Sequence, residues 1–100
     1  MDIFTPFGTA TTALSTSNST ASAALTLPTG PSQFSVRVFN AMTVTGFIQF
    51  GGSTVTAATT NMPIPAGGVE VFQIGPGVTH AAAITASGSG TIYFTPGMGA

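Results

Sequence analysis

The sequence predicts an all-β protein, a small antiparallel β-sandwich or a jelly-roll-like barrel with little or no helix. Short segments rich in β-branched and aromatic residues recur along the chain, and clusters of Gly, Pro and Ser separate them. Their spacing of roughly ten residues is typical of a sandwich or a small barrel. No long stretch shows the 3.6-residue apolar period of an amphipathic helix. The length of 100 residues suits one domain.

The N-terminal segment differs in composition from the rest. Residues 8–24, GTATTALSTSNSTASAA, contain 14 Thr, Ser or Ala among 17 positions. Such a segment can be a flexible linker, but Thr also favours pleated sheets. We predict one or two edge strands, TTALST and SAALTL. The chain then divides into residues 1–27, an N-terminal arm or edge strands, and residues 28–100, the β-sandwich body.

Six strands are predicted in the body, after a connector LPTGPS at 27–32 that Pro and Gly keep irregular. They are FSVRVF (34–39), VTGFIQF (44–50), STVTA (53–57), VEVFQI (69–74), THAAAIT (79–85) and TIYFT (91–95). The predicted turns between and after them are GG at 51–52, PAGG at 65–68, GPG at 75–77, SGSG at 87–90 and PG at 96–97.

Three of these strands combine an apolar face with a second face that mixes Phe with charged or polar residues, since side chains alternate across a strand. The predicted apolar faces of FSVRVF, VTGFIQF and VEVFQI hold, in that order, Val36 and Val38; Val44, Ile48 and Phe50; and Val69 and Val71. The second faces of the same three strands hold Arg37 and Phe39; Thr45, Phe47 and Gln49; and Glu70, Phe72 and Ile74. We expect a subunit interface to cover the second faces, because interface cores favour aromatic residues and Arg. Cover by the protein's own loops, or a bulge that shifts the alternation, is the alternative.

Charge is almost absent. The chain has 18 Thr and 9 Ser but only three charged residues, Asp2, Arg37 and Glu70, and its net charge is −1. A typical soluble domain is about 25% charged. So little repulsion between copies suits a protein docked in an assembly, although a monomer kept soluble by hydroxyl groups is the alternative. We also predict that Arg37 and Glu70 pair, within one subunit or between two.

Several partner classes are not expected. Nucleic acid is excluded as a partner because one Arg cannot supply the several phosphate contacts that binding requires. No segment has the pattern of a secretory signal, and no apolar run approaches the roughly 20 residues of a membrane helix. We therefore expect a protein made in the cytoplasm with no membrane partner. The absence of Cys excludes disulfides and thiolate metal sites.

The single His and the single Glu of the chain, His80 and Glu70, are the candidates for catalysis. A nucleophilic triad would need His80 as the base and Glu70 or Asp2 as its orienting acid, and no G-x-S-x-G motif is present. A metal site needs about three or four ligands. We predict that the protein is not an enzyme and has no catalytic, cofactor-binding or metal-binding residues; a metal shared by the His80 side chains around an oligomer axis is the alternative.

The chain from residue 34 onward resembles the small β-sandwich proteins of tailed-bacteriophage virions. The resembling segments are VRVFN, GFIQFG, NMPIPAGGVEVFQIG and THAAAITASGSGTIYFTPGMG. The resemblance implies a capsid decoration, or cement, protein on the outer capsid surface, with the major capsid protein and further copies of itself, in a trimer, as partners. A tail- or fibre-associated module that binds a receptor or a glycan is the alternative.

The predicted oligomer or capsid interface consists of seven residues: Phe4, Phe7, Arg37, Phe39, Phe47, Glu70 and Phe72. Phe4 and Phe7 would anchor the N-terminal arm on a neighbouring subunit or on the shell, because an extended peptide can add to an exposed sheet edge. The other five lie on the second faces of their strands.

Overall fold

The computed structural model describes residues 5–6, 11–25, 34–75 and 78–98. These residues form β-strands and no helix, which confirms the all-β class. The strands are β1 (Thr5–Pro6), β2 (Thr12–Thr16), β3 (Ala21–Ala24), β4 (Phe34–Asn40), β5 (Gly46–Gly51), β6 (Met62–Ile64), β7 (Val69–Ile74), β8 (His80–Thr85) and β9 (Gly90–Met98).

Two antiparallel sheets pack face to face. In the first sheet, β9 pairs with β4 on one side and with β2 and β1 on the other, and β7 pairs with the remaining side of β4. The second sheet has the order β3-β8-β5-β6. The described part of the chain is therefore a small β-sandwich.

The strand pairs are nested along the chain. Among the strands β2–β9, the first pairs with the last: β2 pairs with β9, β3 with β8, β4 with β7, and β5 with β6. These antiparallel pairs wrap into two sheets because β9 also pairs with β4, and β8 with β5. The eight strands β2–β9, four in each sheet, form the jelly-roll arrangement, and β1 adds a short fifth strand beside β9 in the first sheet. Each sheet draws its strands from both halves of the chain.

The core fills the space between the two sheets. Val38, Ile92 and Phe94 contribute from the first sheet, and Ile48 and Ala83 from the second, and all are almost completely buried. The ring of Phe50 lies edge-on to that of Phe94, with centroids 6.1 Å apart. Such aromatic pairs stabilise a fold by about 0.5–1.5 kcal/mol beyond their buried area.

The N-terminal segment belongs to this sandwich where the structure describes it. Leu14 of β2 and Leu25, directly after β3, are both buried in the core. Between the start of β2 and the end of β3, the Thr12 hydroxyl donates to the Ala24 carbonyl at 3.2 Å. The backbone N–H of Thr85 donates to the Ser17 carbonyl at 2.8 Å. Residues 12–25 therefore pack with the body; the connector at 27–32 lies outside the described residues.

One predicted strand is wrong and another was missed. Residues 53–57, STVTA, form a turn and an irregular segment, in which the Val55 N–H donates to the Gly52 carbonyl at 3.1 Å. The Ala57 N–H is bound by the Thr20 hydroxyl at 2.8 Å, so it is unavailable to a strand partner. The strand on this side is β6, which contains Pro63. Proline argues against a central strand, but β6 ends its sheet and tolerates a residue without an N–H.

The turn predicted at 96–97 is also wrong, because both residues lie inside β9. Pro96 pairs with Val36 of β4. On the other side of β9, the described pairs are those of β2, which reach Phe94, and those of β1, which involve Gly97 and Met98. Local sequence predicts a turn at Pro-Gly, whereas the pairing of β9 with β4 keeps both residues in the strand.

Candidate interaction surfaces

The outer face of the first sheet carries an exposed aromatic cluster, which we name the aromatic face: Phe39, Tyr93, Val69, Val71 and Arg37. Phe39 lies between Tyr93 of β9 and Val69 of β7 in the strand register. The rings of Phe39 and Tyr93 stack with centroids 6.2 Å apart and planes at 16°. Tyr93 remains 38% exposed and Val69 43% exposed, so much of this apolar surface is in water.

Arg37 adds the only cation of the chain to the aromatic face. Its side chain is exposed, and its cross-strand neighbours are Thr95 of β9 and Val71 of β7. Next to it, the hydroxyls of Thr95 and Thr11 share a hydrogen bond of 3.0 Å. Arginine beside aromatic side chains is the composition that protein interfaces favour at their centres.

The outer face of the second sheet mixes apolar with polar residues, and Gln49 and His80 lie on it. We name its apolar part, which consists of Phe47, Ile84, Pro63 and Ala82, the neutral face. Phe47 of β5 has Ile84 of β8 on one side and Pro63 of β6 on the other. Phe47 and Ile84 are half-buried and Pro63 is exposed, whereas Ala82 beside them is completely buried. Among the described residues of this face none carries a carboxylate, an ammonium or a guanidinium group. A partner can therefore cover the neutral face without burying an unpaired carboxylate, ammonium or guanidinium group.

The faces predicted for β7 are reversed in the structure. Phe72 packs against the core and its ring lies 5.7 Å from that of Phe50, while Ile74 is buried. Val69 and Val71 instead point outward, beside Phe39 and Arg37. The placement of Phe72 on the same face as Phe39 and Phe47 is therefore wrong. Both sides of β7 are apolar, so only the partner strand decides which side turns inward.

A pair between Arg37 and Glu70 within one chain does not form. The register aligns Glu70 with Val38 and Arg37 with Val71, so the two charged residues lie on opposite faces of the first sheet. Glu70 is on the core-facing side, but β7 is the last of the described strands on this side of the sheet, and the Glu70 side chain is exposed. A pair between two copies stays a prediction.

The remaining predicted interface residues divide into two groups. Arg37, Phe39 and Phe47 lie on the outer faces, as described above. Phe4 and Phe7 lie outside the described residues. Tyr93 was not among the predicted interface residues, because nothing in TIYFT shows that its neighbour across the sheet is Phe39.

His80 and Glu70 lie in different sheets. His80 begins β8 in the second sheet, and its Nδ1 atom is 2.7 Å from the hydroxyl of Thr79. Glu70 is in β7 of the first sheet. Within the described ranges, no three His, Asp or Glu residues come together in a group that could hold a metal ion. The two residues do not form a joint site.

A polar cavity lies at the end of the first sheet where β2 and β9 meet. Its volume is about 340 Å³, and Ser15, Thr16, Ser17, Ser89, Gly90 and Thr91 line it. Most of these residues carry hydroxyl groups, and none is charged. Thr91 stands two positions before Tyr93 on β9, so both side chains lie on the same face of the sheet.

Comparison of the chain with models of protein families, with curated protein sequences and with solved structures finds no match. The described residues include no helix of the length and apolarity needed to cross a membrane. The resemblance to phage virion proteins stays a prediction.

Proposed function

We propose that this protein is a structural virion protein, which decorates the outer face of a phage capsid as a homo-oligomer and stabilises the shell. The observation that carries the proposal is the aromatic face. It combines a stacked Phe39–Tyr93 pair with exposed Val69 and Arg37 on a chain of net charge −1. A partly exposed aromatic and aliphatic patch with an Arg has the composition that interaction sites favour.

The near-absence of charge supports a permanent place in an assembly. A neutral surface gives almost no repulsion between copies or between a copy and a shell. The contact with each capsid subunit can be weak, because an oligomer that binds several equivalent sites at once gains avidity. The jelly-roll topology occurs in viral capsid domains but also in lectins, so it agrees with the proposal without selecting it.

The proposal is tested with capsids isolated without the protein. Purified protein is added, and binding is measured by co-sedimentation while capsid melting is followed by calorimetry. We expect saturable binding and a higher capsid melting temperature. Cryo-electron microscopy of the particle should then show a small β-domain distributed over the icosahedral shell. Protein that neither sediments with the shell nor raises its melting temperature would contradict the proposal.

Two matched variants identify the docking face. Phe39→Ser removes an aromatic ring from the aromatic face, and Phe47→Ser does the same on the neutral face. We expect Phe39→Ser to weaken capsid binding about tenfold, the usual loss at an aromatic contact residue. Met62→Ser, at a side chain 53% exposed on an edge strand, is the control. Equal binding by all three variants would place the contact outside both faces.

The polar cavity favours a second candidate function, a receptor- or glycan-binding module on a tail or fibre. The hydroxyl groups that line the cavity can form hydrogen bonds with a neutral sugar. The nearby exposed ring of Tyr93 can stack on the face of that sugar. A glycan screen tests this function, with Tyr93→Ala and Ser15→Ala as variants. Saturable hits that both variants lose would favour it over decoration, and a screen without hits would discard it.

A further inference from the structure

The edges of the two sheets are protected to different degrees. An edge strand exposes unpaired backbone N–H and C=O groups that can bind another strand, and proteins limit this with short strands, prolines and charges. β6 has three residues and contains Pro63, and β1 has two residues and contains Pro6. The edges of β2 and β3 lie beside each other along one side of the sandwich, and the Thr12 hydroxyl donates to the Ala24 carbonyl there.

β7 lacks most of these protections. It ends the first sheet among the described strands, and it has six residues, VEVFQI, without Pro, Gly or Lys. Val, Phe and Ile are strong strand formers. Glu70 is the one charge on this strand, and a charge on the core-facing side of an edge strand is the one protection of this kind that β7 has.

We infer that β7 is an association edge that binds β7 of a second copy in antiparallel orientation, so that the first sheet continues through both chains. The inference deepens the proposed homo-oligomer by naming its contact. A second copy is the occupant because two β7 edges in antiparallel orientation present matching backbone N–H and C=O groups to each other. A two-fold axis perpendicular to the sheet keeps each side of the strand on its own face, so the outward Val69 and Val71 of both copies extend one aromatic face.

The charge on Glu70 selects the register. A register centred on Val71 places Val69 opposite Gln73 of the second copy. Glu70 then lies opposite Phe72 of the second copy, and the two carboxylates are not directly opposed. A register centred on Glu70 would oppose them directly, which is destabilising in a sheet. A contact of this type is self-complementary and closes at two subunits, which differs from the trimer that the resemblance implies.

The first experiment measures the mass of the protein in solution by analytical ultracentrifugation up to about 1 mM, which detects even millimolar affinities. The wild-type chain of 9.9 kDa is expected to form a dimer. Gln73→Lys places a charge at the edge, and Gln49→Lys is the matched control, since both Gln side chains are exposed on outer faces. Gln73→Lys is expected to sediment as one chain and Gln49→Lys as a dimer.

Single cysteines then map the contact, because the chain has no cysteine of its own. Val69→Cys, Val71→Cys and Gln73→Cys scan the outer side of β7, and Gln49→Cys is the control. Opposed residues in a strand pair bring their Cβ atoms to about 4.5–5.5 Å, near the distance a disulfide needs. Val71→Cys is expected to form disulfide-linked dimers at least about tenfold faster than Gln49→Cys, since pairing raises the effective thiol concentration.

Three results would overturn the inference: a single-chain mass for the wild type over the whole concentration range, a mass of three chains, or an assembly that Gln73→Lys leaves intact. Circular dichroism confirms that each variant is folded, and Val69→Lys repeats the test should Gln73→Lys unfold. Capsid binding is measured separately. If the protein forms dimers that do not bind capsids, only the proposed function is contradicted. If it binds capsids as single chains, only the β7 contact is contradicted.

Discussion

Asn40 is the polar residue that holds one end of the sandwich together. Its side chain is completely buried, and its Nδ2 atom donates to the carbonyls of Val44 and Ile64, both at 2.9 Å. Its Oδ1 atom accepts from the Met42 N–H at 2.8 Å. One amide thus joins the end of β4 to the β4–β5 connection and to β6, so both sheets depend on it.

Asn40→Leu is therefore expected to be severely destabilising. The substitution leaves two carbonyl groups and one N–H without their partner in a buried position. Each such group costs about 1–3 kcal/mol, so we expect a loss of about 3 kcal/mol or more in the free energy of unfolding. Urea denaturation followed by circular dichroism measures it. Asn61→Leu is the control, since Asn61 is half-buried and its Oδ1 accepts a hydrogen bond from an exposed N–H; an equal loss in both variants would contradict the role of Asn40.

Gly46 is a position where the core leaves no room for a side chain. A Cβ atom there would lie 2.7 Å from Cδ1 of Ile92 and 3.0 Å from Cε of Met42, both buried. We expect Gly46→Ala to destabilise the fold by about 1–3 kcal/mol, the usual cost of overpacking. Gly52→Ala is the matched control, because nothing lies within 4 Å of its Cβ position. Thermal unfolding of the two variants should differ, and equal melting temperatures would contradict the packing described for Gly46.

At the scale of the element, β2 is decisive, since it determines whether the N-terminal segment belongs to the core. Its burial alternates, with Leu14 and Thr16 inside and Ala13 and Ser15 outside, although its sequence is mostly small and polar. The register with β9 places Leu14 beside Ile92. A segment that composition alone would allow to be a linker is thus a full strand of the first sheet.

Leu14→Ala tests this membership. Truncation of a buried Leu costs about 2–5 kcal/mol, and we expect a loss in that range, because Leu14 is only 5% exposed. A linker or a detached arm would tolerate the change without measurable loss. Chemical denaturation gives the value, and Ser15→Ala, on the exposed side of the same strand, should be close to neutral.

At the scale of the whole molecule, the nested pairing sets how the chain must fold. Thr12 pairs with Phe94, and Ala21 pairs with Ala83, so the outermost strands meet only after most of the chain is in place. Contacts between residues distant in sequence carry a large entropic cost before they stabilise anything.

Folding is consequently expected to be slow for a domain of this size. All-β folds with such distant pairings fold in roughly milliseconds to seconds. Stopped-flow refolding from urea, followed by the fluorescence of Tyr93, measures the rate. Refolding within microseconds would contradict the nested topology, since only folds dominated by local contacts are that fast.

Much of the fold is predictable from local pattern. The positions of β4, β5, β7, β8 and β9 follow from β-branched and aromatic residues between turn formers, because strand propensity and turn geometry depend on neighbours in sequence. The position of β6 is not predictable from local pattern. Pro63 counts against a strand until the fold shows that this strand lies at an edge.

The residues of the candidate surfaces are less predictable from the sequence than the positions of the strands. Alternation places Arg37 with Phe39 on one side of β4, and the structure keeps them together on the aromatic face. The same reasoning cannot orient β7, since both of its sides are apolar and its partner strand selects the inward one. Tyr93 joins Phe39 only because β9 pairs with β4, a contact between residues more than fifty positions apart.

Composition and local periodicity were thus enough to specify an all-β chain with almost no charge, because propensity and net charge are sums over residues. Which strands end the sheets, which side of β7 faces the core, and which residues form the aromatic face were decided by long-range pairing. A strand's environment depends on the neighbour that the fold supplies, and that neighbour is distant in the sequence.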